Sequence, residues 1–223
     1  LLYRQGPASS VWRFLTKLLT DMDDDTTIAS LDGVRAYDHV PRACFLEELA
    51  RNPDLDQLLP FVRLWYSRPS TYTWRDDTGH VHRIPQAEGV EQGDPLSPLL
   101  FSLAVHASLR RANADLEQGE YLFAFLDDVY TVTPKRRAAT VARLVAARIH
   151  EEAGVEPKLG KFKIWGRGGG PEPPGIDELL DGAPRPEEPI WKGNLERAEN
   201  GIVILGTPCL LYTSPSPRDR EKS

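Results

Sequence analysis

The sequence predicts an α+β domain in which a small antiparallel sheet carries helices on one face. Short apolar, β-branched runs near residues 27–31, 121–125, 129–132, 161–165 and 202–205 have the length and flanks of strands. Between them lie stretches whose apolar residues recur at helical spacing. A length of 223 residues with 40% hydrophobic and 9% aromatic content suffices for one sizeable core and sets aside global disorder.

The elements follow in order. Trp12, Leu15, Leu18 and Leu19 share a helical face, and the acidic run from Asp21 to Asp25 ends that helix in solvent. Thr27 to Leu31 is short, partly β-branched and bounded by Gly33, which predicts a buried strand with Asp32 at its C-terminal edge. Helices are predicted from about Pro41 to Arg51 and from Leu55 to Tyr66. Thr71–Trp74 and His80–Ile84 flank the turn signal Asp76-Asp77-Thr78-Gly79, a hairpin. Leu96, Leu99, Leu100, Leu103 and Ala107 predict a central buried helix with Pro95 in its first turn. Tyr121–Phe125 and Val129–Val132, separated by Leu126-Asp127-Asp128, predict a second hairpin with carboxylates at its tip. Ala138, Val141, Leu144, Val145 and Ile149 predict another amphipathic helix, closed by Gly154. Two last strands are expected at Lys161–Trp165 and Ile202–Leu205. The Pro- and Gly-rich stretch between them, 168–200, reads as a surface insertion.

Composition narrows the function. With 33 acidic and 27 basic residues the net charge is −6, and no apolar stretch is long enough to span a bilayer. Two cysteines 165 positions apart do not form a secreted disulfide framework, so an intracellular setting is expected. Cys44 reads as core on its helix. Residues 134–167 hold nine basic residues against three acidic ones, and 169–200 hold eight acidic against three basic. The basic region can face a polyanion, with the acidic insertion expected to turn elsewhere.

Both ends carry signals. The chain opens Leu1-Leu2-Tyr3-Arg4 with neither an initiator Met nor a signal pattern, so further sequence is expected upstream. From Cys209 the residues Cys-Leu-Leu-Tyr-Thr-Ser-Pro-Ser-Pro-Arg-Asp match, codon by codon, the translation of a transposase-type sequencing-library adapter. The native domain is therefore expected to cover 1–208, with 209–223 an adapter translation.

Asp32 at a strand end, Asp38 six residues later, and Asp127-Asp128 at a hairpin tip are the acidic motifs that matter. The pair has Phe123-Ala124-Phe125-Leu126 before it and Val129-Tyr130 after it, a costly place for charge without a counter-ion. A divalent cation supplies one, since Mg²⁺ is commonly held by one or two carboxylates plus substrate phosphates. His80 and His82 alternate on one strand face, but no third ligand lies near them in sequence. No phosphate-binding glycine loop of the P-loop or dinucleotide type is present.

Ser30-Leu31-Asp32-Gly33-Val34-Arg35-Ala36-Tyr37-Asp38-His39-Val40 resembles motif A of reverse transcriptases. Glu91-Gln92-Gly93-Asp94-Pro95-Leu96-Ser97-Pro98-Leu99-Leu100-Phe101 and Ala124-Phe125-Leu126-Asp127-Asp128 are similar to motifs B and C, in the right order and at ordinary spacing. Gly160-Lys161-Phe162-Lys163-Ile164-Trp165 resembles motif D, and Ile204-Leu205-Gly206-Thr207-Pro208 the start of motif E. The likeness is to the non-LTR retroelement and group II intron branch, covers residues 28–208, and implies a nuclear setting if the source is a eukaryotic retroelement.

The resemblance implies a right-hand polymerase palm, with a ferredoxin-like antiparallel sheet, plus partial fingers. It implies RNA-directed DNA synthesis, a nucleotidyl transfer from a dNTP to a primer 3′-hydroxyl on an RNA template, with two Mg²⁺ ions, or Mn²⁺ as a substitute. Asp32 and Asp127 match the principal metal carboxylates and Asp128 the supporting one. Tyr37 matches the aromatic under the incoming sugar, Gln92 and Gly93 line the nucleotide and template side, and Lys161 matches the lysine approaching the triphosphate. Leu126 stands where many relatives have a small residue. Phe162 replaces a common threonine and leaves the register of Lys161 against Lys163 open. The rivals are another palm-type template-dependent polymerase, and a decayed or domesticated copy that binds nucleic acid without catalysis.

Overall fold

The computed structural model describes residues 3–5, 8–21, 23–34, 36–195 and 201–210. In chain order the elements are β1 (Tyr3–Gln5), α1 (Ala8–Asp21), β2 (Thr26–Leu31), α2 (Ala36–His39), α3 (Arg42–Arg51), α4 (Leu59–Tyr66), β3 (Ser70–Arg75) and β4 (Val81–Gln86). They continue with α5 (Ser97–Ala114), β5 (Tyr121–Phe125), β6 (Asp128–Pro134), α6 (Ala138–Ala153), β7 (Lys163–Gly166), α7 (Ile176–Leu180), β8 (Gly201–Ile204) and β9 (Thr207–Leu210). Two compact units result, one of Leu1–Asp32, Ala112–Ala146 and Pro157–Ser223, the other of Gly33–Arg111 and Ala147–Glu156.

The first unit is built on a five-stranded sheet in the order β1-β5-β6-β2-β7. Only β1 against β5 runs parallel; the other pairings are antiparallel. Strand residues alternate between faces, so the register Ile28↔Val132, Ser30↔Tyr130 and Phe123↔Tyr130 puts these side chains on one face. That face packs Ile28, Phe123, Tyr130, Val132 and Trp165 against Val11 and Leu15 of α1 and Ile202 and Ile204 of β8. The opposite face, with Leu122, Ala124, Ala29 and Ile164, is buried as well. Apolar residues on both faces explain why these runs read as near-continuous apolar stretches. Beside the sheet, buried Glu120 is held by the Arg137 guanidinium at 2.8 and 3.1 Å, which satisfies a carboxylate that burial alone would penalise.

Several expectations change. Lys161 lies on a 3₁₀ turn, Leu159–Lys161, and the strand begins only at Lys163, pairing with β2. The strand expected at Ile202–Leu205 is β8, Gly201–Ile204, which pairs with β9 in a separate two-stranded sheet. The insertion contains α7 and buries Ile176, Leu179, Leu180, Ile190 and Trp191, a degree of burial that its prolines and glycines do not announce. Ile164 N–H donates to the Ile190 carbonyl and Lys192 N–H to the Ile164 carbonyl, both at 2.8 Å. Nor does the acidic insertion turn away from the basic stretch, since Glu188 pairs with Lys163 at 2.7 Å and also holds Lys192. Cys209 and Leu210 belong to β9, while 211–223 lie outside the described residues.

In the second unit, α3 and α4 bury Phe45, Leu49, Val62 and Tyr66, with Phe45 and Tyr66 edge to face at 5.6 Å. β3 and β4 pair as a separate two-stranded hairpin. The stripe that α5 buries differs from the predicted one: Ser97, Leu100, Phe101, Ala104, Val105, Ser108 and Leu109 are buried, whereas Leu96, Leu99, Leu103 and Ala107 are only half-buried. The buried stripe is thus displaced by about one residue around the helix. Among the described residues no helix is long and apolar enough to cross a membrane.

Candidate active site

Asp32 directly follows β2, and Asp128 opens β6. Because Leu31 pairs with Val129, one more step of the same register sets Asp32 opposite Asp128. Phe125 pairs with Asp128, which leaves Leu126 and Asp127 as a two-residue turn, and Leu126 there has φ +55°, in the left-handed region. Asp127 is exposed at this tip, whereas Asp128 is half-buried. Burial, reinforced by the charges of Asp127 and Asp32, pushes the Asp128 carboxyl above its ordinary range.

A cleft of about 1150 Å³ opens over this end of the sheet. Asp32, Asp128, Lys161, Lys163 and Lys192 line it, together with Glu188 and residues of β8. The Lys161 ammonium lies 3.2 Å from Asp32 Oδ2. Lys158 N–H donates to the Asp32 carbonyl at 2.8 Å, which fixes the lysine-bearing turn against the aspartate's backbone.

The expected three-carboxylate group is only partly assembled. Among the described residues no three His, Cys, Asp or Glu side chains converge as a closed metal cage, and Asp127 is not part of the cleft lining. The donor set nevertheless fits a hard divalent cation. It is all oxygen, its members repel one another, and such ions are often held by one or two carboxylates plus substrate phosphates.

Tyr37, Gln92 and Gly93 belong to the second unit. Tyr37 sits on the one-turn helix α2, its ring stacked on Phe101 at 4.4 Å and 10°. Gln92 is exposed and its Nε2 donates to Asp38 Oδ1 at 3.2 Å. Gly93 has φ +98° with open space where a side chain would stand, so its backbone conformation, not crowding, selects glycine.

Residues that the motif reading leaves out hold this loop. Tyr66 Oη donates to Asp94 Oδ2 at 2.5 Å, Leu96 N–H donates to Asp94 Oδ1 at 2.9 Å, and Ser97 Oγ donates to the Glu91 carbonyl at 2.5 Å. Burial, with Asp94 second, pushes the Tyr66 phenol up. Arg42, 6% exposed, donates from Nε to the Gly89 carbonyl at 3.1 Å and from Nη1 to the Arg68 carbonyl at 2.8 Å. A Cβ on Gly89 would stand 2.3 Å from the Asp38 carbonyl oxygen, so the chain before the loop can pass here only as glycine. Pro95, expected in the first turn of α5, instead precedes the helix, which begins at Ser97, and the tie of Asp94 to Tyr66 is a tertiary contact without a local signal.

The sequence model of the family described as reverse transcriptase (RNA-dependent DNA polymerase) matches residues 3–178. The retrotransposable element SLACS 132 kDa protein of Trypanosoma brucei gambiense is 27% identical over 159 residues, 71% of this chain and 13% of that protein. A Pol polyprotein from the type-1 retrotransposable element R2 of Nasonia vitripennis is 32% identical over 136 residues, 58% of this chain and 13% of that protein. The chain thus spans about an eighth of the length of these curated relatives. Among solved structures, a telomerase from Candida albicans matches at a TM-score of 0.53 and 15% identity, over 74% of this chain and 31% of that one. A telomerase from Candida tropicalis matches at 0.56 and 14%, over 75% and 30%. At such identities the likeness is one of fold, and it accords with the palm-type α+β architecture expected from the motifs.

Proposed function

The chain belongs to the reverse transcriptase (RNA-dependent DNA polymerase) family, and from that premise we propose that it carries the nucleotidyl-transfer site of a retrotransposon-type polymerase. The reaction proposed is addition of a dNTP to a primer 3′-hydroxyl on an RNA template. The observation that carries it is that Asp32 and Asp128 line one cleft with Lys161 beside them.

In this reading Asp32 and Asp127 would hold magnesium, with manganese as a substitute, and Asp128, half-buried beside them, is the supporting carboxylate. The bound ions would lower the pKa of the attacking hydroxyl and neutralise charge at the leaving pyrophosphate. The protein's own part is positioning and charge. Lys161 supplies a cation for the triphosphate. Tyr37, fixed by its stack on Phe101, offers a flat surface for the incoming sugar. Gln92 and Gly93 present a side-chain amide and an unobstructed backbone to nucleotide or template. The long β2–β6 ladder holds Asp32 and Asp128 in register, which such chemistry requires to a fraction of an ångström.

Asp127→Asn in the complete polypeptide is expected to abolish primer extension on an RNA template while RNA binding persists. Extension at the parent rate in that variant overturns the assignment.

A further inference from the structure

The cleft holds three lysines, and the structure uses them differently. Lys163, opposite Ser30 in β7, is turned into Glu188 at 2.7 Å. Lys192, itself buried, reaches the same carboxylate. With two ammonium partners, Lys163 first, the Glu188 carboxyl is held down to about 2. The insertion therefore occupies both of these cations. Lys161 alone is directed at Asp32, at 3.2 Å, from a turn whose backbone is tied to the same aspartate.

That pair is built to be broken. Its lysine is 58% exposed and its aspartate 37% exposed, so solvent screens the attraction. A doubly charged ion gains more from the same carboxylate, and from Asp128 beside it, than one ammonium does. A divalent ion seated on Asp32 Oδ2 repels an ammonium held 3.2 Å from the same oxygen.

We infer that Lys161 competes with a divalent cation for Asp32, so that loading the cation and releasing the Lys161 ammonium toward a bound triphosphate are one exchange. The inference rests on the nucleotidyl-transfer reading above. In this inference Lys161, and not Lys163, takes the motif D role, since Lys163 is paired with Glu188. Coupling of this kind is reciprocal, so removing the ammonium strengthens the hold on the cation.

The test is Mn²⁺ binding to the full chain, followed through the electron paramagnetic resonance signal of the free ion, without substrate or turnover. Lys161→Gln is expected to bind Mn²⁺ about two- to fivefold more tightly, the scale of an exposed ion pair. Lys161→Arg, which keeps the charge, should match the parent, and so should Lys163→Gln. A variant that merely disturbed the fold would bind more weakly, so tightening cannot come from damage. If Asp32→Asn loses Mn²⁺ while Lys161→Gln binds it no better than the parent, the exchange is overturned and the nucleotidyl-transfer reading stands. If Asp32→Asn binds Mn²⁺ as the parent does, both fall together.

Discussion

At the tip of the β3–β4 hairpin, Asp76 accepts hydrogen bonds from Thr78 Oγ1 at 2.6 Å and from the N–H groups of Thr78 and His80 at 3.0 Å, with His82 Nε2 2.8 Å away. Thr78 first and His82 next hold its carboxyl down to about 2. At the tip of the β5–β6 hairpin, Asp128 has burial and the charges of Asp127 and Asp32 acting on it, and its carboxyl is pushed up. Both tips carry an Asp-Asp pair. In the first hairpin, Asp76's lone pairs are spent on making the turn, so its charge is already compensated. In the second, the ladder itself makes the turn, and the carboxylates are left wanting a cation. An aspartate in a turn signals chemistry when its own backbone does not use it.

The largest test of that contrast is packing. Phe123, 1% exposed, is expected to cost about 3–5 kcal/mol when changed to alanine, read by chemical denaturation. Trp74→Ala should cost under about 1 kcal/mol, since Trp74 is 57% exposed and its main contact is the His82 ring at 4.9 Å. Equal losses would erase the distinction between the hairpins.

A smaller effect, of opposite sign at the two tips, should appear in the pH dependence of thermal unfolding. The Asp76 carboxyl is depressed from 3.8 to about 2, so its contribution is present above pH 3.8 and is lost as pH falls through about 2. The Asp128 carboxyl is raised, so its contribution is greatest below 3.8 and is lost as pH rises through the raised folded value. Near neutral pH, Asp76→Asn should therefore lower Tm and Asp128→Asn should raise it. A fall in both would mean that the β5–β6 tip, too, needs its carboxylate for structure.

The smallest effect concerns the turn backbone. Leu126 at φ +55° pays a steric penalty that glycine avoids, against glycine's larger freedom in the unfolded chain. Leu126→Gly should gain up to about 1 kcal/mol. A loss above about 1 kcal/mol would show instead that the leucine side chain packs at the tip.

The sheet was legible because its strands announce themselves: Thr27–Leu31, Tyr121–Phe125 and Val129–Val132 are apolar runs with turn residues at their ends. The carboxylates were legible because those ends are where they stand. The buried stripe of α5 was not, because two neighbouring stripes are both apolar and small residues such as Ser97, Ala104 and Ser108 are buried as readily as the leucines. The insertion misled through its prolines and glycines, which hid that Ile176, Leu179, Leu180, Ile190 and Trp191 are spaced among them to be buried. Lys161 read as strand because a 3₁₀ turn of three residues has no period long enough to detect. The Tyr66–Asp94 bond joins residues 28 positions apart and leaves no local trace.

The hydrogen bonds between Ile164 and the 190–192 segment also bear on how the protein behaves in company. β7 is the last strand of the sheet, and an uncovered last strand is a template on which the strand of another chain can add. Here the backbone N–H and C=O of Ile164 are already taken, and Trp191 lies alongside in a parallel bridge. The segment that walls the cleft with Glu188 and Lys192 thus also shields this rim from the addition of a foreign strand.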